Sequence, residues 1–274
     1  MRKIKKTEVF LLLLLIIGIL VLFIMVKVSD KEGKEDNEKE TKTEDGNVSK
    51  AYFEQCKKLL LALGTPGEIL ADCSEEQIIF IAENLKEGEI YEAVDSFESS
   101  DKLISMTIIC YSYKNNGERQ YKFFPSFRWL EEGCGIGNDS FGFALNEDWE
   151  IVPGMPEQMK VCLENSDGMK HDKTYQCVNA GQCGYAYSFE EGIAVPDSYY
   201  EGYGVFCARR KNIDVAAVEI SMTYVHDNSN MLTDEAYSLN ISPGLVSVSS
   251  DSPKLQVYAQ NMTFTIINDR EDSY

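Results

Sequence analysis

The exported part of this chain is predicted to be α+β: a short helical pair, then an antiparallel β-rich, sandwich-like domain, all behind an N-terminal transmembrane helix. Three observations predict it. An uncharged apolar run near the N-terminus gives way to a charged stretch with almost no aliphatic residues. Residues 51–100 then carry apolar side chains at helical spacing. From about Asp101 the pattern changes to short β-branched and aromatic runs punctuated by Gly, Asn, Asp and Pro.

The membrane segment comes first. Arg2, Lys3, Lys5 and Lys6 precede the run from Val9 to Val26, "VFLLLLLIIGILVLFIMV", which Lys27 closes. A helix of that length, at about 1.5 Å per residue, rises roughly 27 Å, close to the hydrocarbon thickness of a bilayer. No small-residue cleavage site follows, since the chain continues Lys27-Val28-Ser29-Asp30, and the first cysteine is Cys56. An uncleaved signal-anchor is therefore expected over residues 9–28, rather than a secretory leader or a lipoprotein. The basic residues crowded into residues 1–8 keep that tail cytoplasmic and send the remainder across the membrane.

Residues 29–50, "SDKEGKEDNEKETKTEDGNVSK", contain one aliphatic residue, Val48. Such a segment buries too little apolar surface to offset its ordering entropy, so it reads as a disordered acidic stalk. From Val28 onward the chain holds 21 basic and 44 acidic residues, a net charge of −23. That surface repels nucleic acid and anionic headgroups, and nucleic-acid binding is excluded.

The helical region, residues 51–100, opens with Tyr52, Phe53, Cys56, Leu59, Leu60 and Leu63 on one face, stopped by Gly64-Thr65-Pro66-Gly67. Ser74-Glu75-Glu76-Gln77 fits a capping box and starts a second helix, which Gly88 ends. Ile90, Ala93, Val94 and Phe97 suggest a third, short one. In the β-rich region, residues 101–274, the clearest unit is a hairpin: Leu103–Tyr113 and Tyr121–Trp129 flank Asn115-Asn116-Gly117, where Asn-Gly supplies positive φ. Pro125 predicts an edge strand or a bulge there. Further strands are expected at Ser140–Leu145, Tyr185–Phe189, Gly204–Ala208, Val215–His226, Leu245–Val248 and Leu255–Ile267. No βαβ alternation is present, which speaks against a nucleotide-binding α/β fold.

Eight cysteines, Cys56, Cys73, Cys110, Cys134, Cys162, Cys177, Cys183 and Cys207, all follow the anchor. In an exported domain they read as disulfide candidates, with Cys56 and Cys73 placed to bridge the helical pair. There is no Cys-x-x-Cys and there are only two histidines, so no metal site and no cofactor are expected.

Catalytic patterns fail one by one. The string "NAGQCGYAYSF" from Asn179 to Phe189 resembles the nucleophile region of papain-like cysteine peptidases over about ten residues. Aligned on Cys183-Gly184, however, the nucleophile position holds Ala186, the tryptophan position Tyr187 and the oxyanion glutamine position Ala180. Without a thiolate there is nothing to activate. A Cys207–His226 pair across adjacent strands is conceivable, but a structural role for both is the plainer reading, and no Gly-x-Ser-x-Gly elbow occurs. The glycine-rich "GCGIGNDSFG" lacks the phosphate-cradle frame, and the acidic loops at Asn146–Asp148 and Asp227–Asn230 read as solvated.

No catalytic residue is assigned. The remaining feature is aromatic: Tyr187, Tyr199, Tyr200 and Tyr203, in a glycine-punctuated segment, are the candidate ligand-binding residues, because exposed tyrosines stack on sugars or anchor a protein partner. The alternative is that they fill a half-buried sheet. The expected role is binding of an envelope glycan or protein partner. The alternatives are an envelope hydrolase working through carboxylates that sequence cannot single out, and an accessory or sensor subunit of a membrane complex.

Overall fold

The computed structural model describes residues 50–130, 138–153, 158–164, 170–177, 179–190, 199–211, 217–227, 238–250 and 255–266. The predicted tail, the span 9–28 and nearly all of the stalk lie outside the described residues. Among the described residues no helix is long and apolar enough to cross a membrane. The chain divides into two units, Met1–Lys58 and Leu59–Tyr274. The described part of the first is the start of helix α1 (Lys50–Ala62), where Lys57 lies over the Phe53 ring at 6.0 Å. Everything below concerns the second unit.

Helix α1 ends at Gly64, whose φ of +95° no β-carbon tolerates comfortably, as the sequence predicts. The expected turn is shorter than foreseen. Pro66 sits at the N-cap of a six-residue helix, α2 (Gly67–Asp72). Ser74 then caps α3 (Glu75–Glu83), its Oγ accepting from the Gln77 amide at 3.1 Å. The second half of the predicted capping box differs: the Gln77 side chain does not reach back but turns to the sheet, where Nε2 donates to Ser126 Oγ at 3.1 Å.

The remainder is mostly antiparallel β-sheet. The larger sheet runs β1 (Ile90–Glu98), β2 (Ile104–Asn115), β3 (Glu118–Trp129), β10 (Tyr199–Arg210), β6 (Gln158–Glu164) and β7 (Lys170–Gln176), with β5 (Trp149–Ile151) also on β10. The smaller runs β14 (Leu255–Thr265), β11 (Ala217–Asp227), β4 (Asn138–Leu145), β9 (Gly184–Glu190) and β8 (Asn179–Ala180). A separate hairpin joins β12 (Ser238–Ser242) to β13 (Leu245–Ser249).

The two sheets face each other across one aromatic core, as a sandwich requires. Phe206 of β10 stacks between Phe123 of its own sheet, at 5.0 Å, and Phe143 of the facing sheet, at 4.5 Å. Phe127 and Phe189 stack across the same gap at 5.5 Å. The hairpin β12–β13 lays Leu239 and Val246 on Ala144, Ala186 and Val225, the outer face of the smaller sheet.

The β2–β3 hairpin forms as predicted, with Asn116 (φ +52°) and Gly117 (φ +83°) as a two-residue turn between paired Asn115 and Glu118. Pro125 differs from expectation: β3 is central, between β2 and β10. The ladder to β10 is interrupted at this point, pairing Tyr203 with Ser126 and resuming at Phe206 with Phe123. A missing N–H is tolerated where the ladder already skips. The third predicted helix is instead edge strand β1. A bulge between Tyr91 and Ala93 breaks the two-residue alternation and leaves an apolar spacing that imitates a helix.

The glycines of "NAGQCGYAYSF" now have a physical reason. A β-carbon on Gly184 would stand 2.0 Å from the Phe143 carbonyl oxygen and 2.8 Å from Ala144 Cα, since β9 crosses β4 there with no room for a side chain. Gly184→Ala is expected to destabilise the protein by about 3 kcal/mol, because backbone must move to admit the methyl group. Urea denaturation of both proteins measures the shift in midpoint.

Candidate functional site

The outer face of the larger sheet changes chemistry along its strands. At one end Ile109, Tyr111 and Phe124 are buried, with the Phe80 ring of α3 edge-on to Phe124 at 6.5 Å and against Tyr203 at 4.9 Å. At the other end the same face is polar and roofless. Strand pairing lines up two rows there: Ser96, Thr107 and Ser126 in one, and Glu98, Ser105, Arg128 and Glu201 in the next. With Ile69 and Asp72 of α2, Cys73 and Gln77 as its wall, this floor bounds an open cleft of about 550 Å³. That is the volume range of small-ligand sites.

A buried carboxylate organises the wall. Glu201 is 2% exposed. It accepts from Ser74 Oγ through Oε1, and from Arg128 Nη2 at 3.2 Å and Nε at 3.3 Å through Oε2. Arg128 Nη1 also donates to the Asp72 carbonyl at 3.0 Å. The connection between α2 and α3 is thus tied to the sheet by charge-assisted bonds at both of its ends.

Gln77 has a second polar atom in the cleft wall. Ser126 donates its hydroxyl proton to the Thr107 carbonyl at 3.3 Å, so its oxygen is left to accept, and it accepts from Gln77 Nε2. The amide orientation is fixed by that chain. Gln77 Oε1 accepts no hydrogen bond among the described residues and stays open to solvent, although the residue as a whole is only 5% exposed.

Three of the four tyrosines predicted as a ligand platform are not exposed. Tyr187 (1%), Tyr200 (3%) and Tyr203 (1%) are buried. Tyr187 and Tyr200 face the sandwich core, beside Phe143 and Phe127 respectively, while Tyr203 packs under α3. Tyr199 opens β10. Burial makes the rings of Tyr187, Tyr200 and Tyr203 core packing, which corrects the expectation of an exposed platform for these three; the Tyr199 side chain lies outside the described residues.

The disulfide expectation is likewise corrected: no disulfide links Cys56, Cys73, Cys110, Cys162, Cys177, Cys183 and Cys207, and Cys134 lies outside the described residues. The register explains part of this. Cys110 points into the sandwich core, whereas Cys207 is on the opposite face of the sheet, beside Tyr113 and Lys122. Cys73 donates to the Ile69 carbonyl at 3.3 Å.

Cys207 and His226 are not brought together either; they belong to different sheets. His226, 3% exposed, holds Asp139 through Nδ1 at 2.8 Å. Asp139 also accepts from Tyr224 OH, which accepts from Trp129 Nε1 at 3.0 Å. This buried chain bonds one sheet to the other and has no access to the cleft. His171 lies on β7. Among the described residues no group of His, Cys, Asp and Glu is arranged to hold a metal ion.

No family model matches this sequence, and no curated protein matches it. Among solved structures, the collagen-binding domain of the Erysipelothrix rhusiopathiae surface protein RspB aligns with 65% of this chain at 9% identity and a TM-score of 0.30. This chain spans about half, 49%, of that one. The collagen-binding domain of a Staphylococcus aureus adhesin aligns over 65% of this chain and 97% of its own, at 6% identity and a TM-score of 0.32. For the Clostridium perfringens delta-toxin the values are 66%, 93%, 8% and 0.29. Scores at this level carry no argument about function, and the β-sandwich rests on the strand pairing described above.

Burial raises the Cys73 thiol from 9.0 to about 12, the Arg128 charge opposing it only in part. The thiolate is the reactive form, so at pH 8 its population falls by about a thousandfold relative to an unshifted thiol. Iodoacetamide labelling read by mass spectrometry is expected to leave Cys73 unmodified in the native protein at pH 8 and to modify it rapidly once urea is added.

Proposed function

We propose that this chain is a membrane-anchored, extracytoplasmic binding protein that receives a glycan or protein partner in the cleft between α2 and the polar end of the larger sheet. The cleft carries the reading. Its floor is a grid of hydroxyls, a guanidinium and carboxylates on paired strands running from edge strand β1 to β10, which gives a seat of hydrogen-bonding groups. The apolar run, its basic flank and the acidic stalk support placement outside the membrane.

Hydrolysis is less well served by the same geometry. Glu98 and Glu201 occupy one row but three strand spacings apart, about 14 Å between backbones. Carboxyl pairs that cleave glycosides stand roughly 5 to 10 Å apart, and Glu201 is already held by Ser74 and Arg128.

Two measurements test the reading. Thr107 is half-buried in the middle of the cleft floor, so Thr107→Trp fills the seat without touching the sandwich core. On an array of peptidoglycan fragments and short synthetic peptides, the full chain is expected to retain a defined set and the variant to lose at least tenfold in affinity for all of it. Retention of the same set by the variant would remove the cleft from the proposal. Separately, protease added to intact cells is expected to destroy a C-terminal tag; a tag lost only after lysis would put the domain in the cytoplasm.

A further inference from the structure

Among the described residues, β1, β7, β8 and β14 stand at the ends of the two sheets. Three of them carry features that keep a sheet edge from pairing with other chains. β1 holds Glu92, Asp95 and Glu98 and is broken by a bulge, the sequence of β7 includes Lys170, Asp172 and Lys173, and β8 is two residues long. β14 has none of these. Its eleven residues, "LQVYAQNMTFT", contain no charge, no proline and no glycine, on a chain of net charge −19. They pair with β11 from end to end without a bulge.

One bond locates the free side of β14. The Thr263 amide donates to Asp95 Oδ2 of β1 at 3.0 Å, so it points away from β11. Antiparallel pairing alternates such directions residue by residue. Leu255, Val257, Ala259 and Asn261 therefore aim their N–H and C=O groups outward as well. Among the described residues these groups have one partner, Gln260 Nε2, which donates to the Asn261 carbonyl at 3.0 Å. Asp95 closes the edge at Thr263, and the stretch from Leu255 to Asn261 stays open. Val257 is 47% exposed there, and Ala259 and Asn261 are exposed with it.

We propose that a second copy of this chain pairs with that stretch, β14 against β14 in antiparallel, giving a two-fold dimer with one continuous sheet. A two-fold axis at Tyr258 sets Val257 opposite Ala259 of the second copy and Leu255 opposite Asn261. The outward groups then form about eight hydrogen bonds between the copies. The side chains that meet are compatible: Val257 with Ala259, Gln256 with Gln260, and Tyr258 with itself. Charge selects this occupant. An acidic edge would attract a basic partner and repel a chain of the same net charge, whereas a neutral edge suits a partner as acidic as itself. Pairing uses up the open edge of both copies, so assembly stops at two.

Light scattering on the full chain in detergent micelles is expected to give twice the protein mass of one chain. Ala259→Pro removes one outward N–H while sparing the ladder to β11, and Val257→Lys sets two like charges beside the axis. Each is expected to raise the dissociation constant at least tenfold. Val257→Lys changes an exposed side chain outside the core, so it keeps the test decisive should the proline disturb the strand. A monomeric wild-type chain, or assembly beyond two copies, would overturn the proposal. So would a dimer that neither variant weakens, since the contact would then lie elsewhere on the chain. In intact cells, benzoylphenylalanine placed at position 257 and irradiated is expected to give a chain-to-chain adduct identified by mass spectrometry. An adduct formed with a different protein in its place would overturn the second copy as the occupant.

Discussion

A carboxylate cannot be left uncompensated in the interior of a protein, and the partners Glu201 needs shape much of what surrounds it. One partner, Ser74, is the cap of α3; the other, Arg128, also holds the last carbonyl of α2. Satisfying one charge therefore fixes two short helices on the sheet. Neither would be stable alone, since six and nine residues fall well below the length at which helices persist in water. The cleft wall is rigid because that charge is buried.

A second buried pair plays a similar part at the other end of the helical layer. Lys122 donates to Glu89 and to the Asn84 carbonyl, both at 2.6 Å, just beyond the C-terminus of α3. The aromatic cluster under α3 lies between these two polar fixings. Apolar contact supplies most of the cohesion there, and the ion pairs set where on the sheet the helix comes to rest.

Legibility in the sequence followed locality. The β2–β3 hairpin was readable because its turn and its alternation sit in one continuous stretch, and the Ser74 cap because it needs four residues. Strand β7, "KHDKTYQ", offers no apolar alternation at all, and β1 hides its period behind a bulge. The tyrosines show a different limit. Alternation reveals that Tyr200 and Tyr203 face opposite ways, but not that both faces of the sheet are covered. The cleft joins residues from Ile69 to Glu201, so no local pattern announces it. The available signal was Ser105 and Thr107 alternating with Ile104, Met106 and Ile108, a strand polar on one face.

That two-faced strand gives the Asn116–Gly117 turn a consequence far from itself. The turn sets the register of β2 against β3, and a slip of one residue would exchange the two faces of the slipped strand. Lys122, Ser126 and Arg128 would enter the sandwich, while Phe123 and Phe127 would line the groove. Hairpins of this kind close within microseconds, before distant strands assemble. The chemistry a ligand meets is thus settled early in folding, by a pair of residues it never touches.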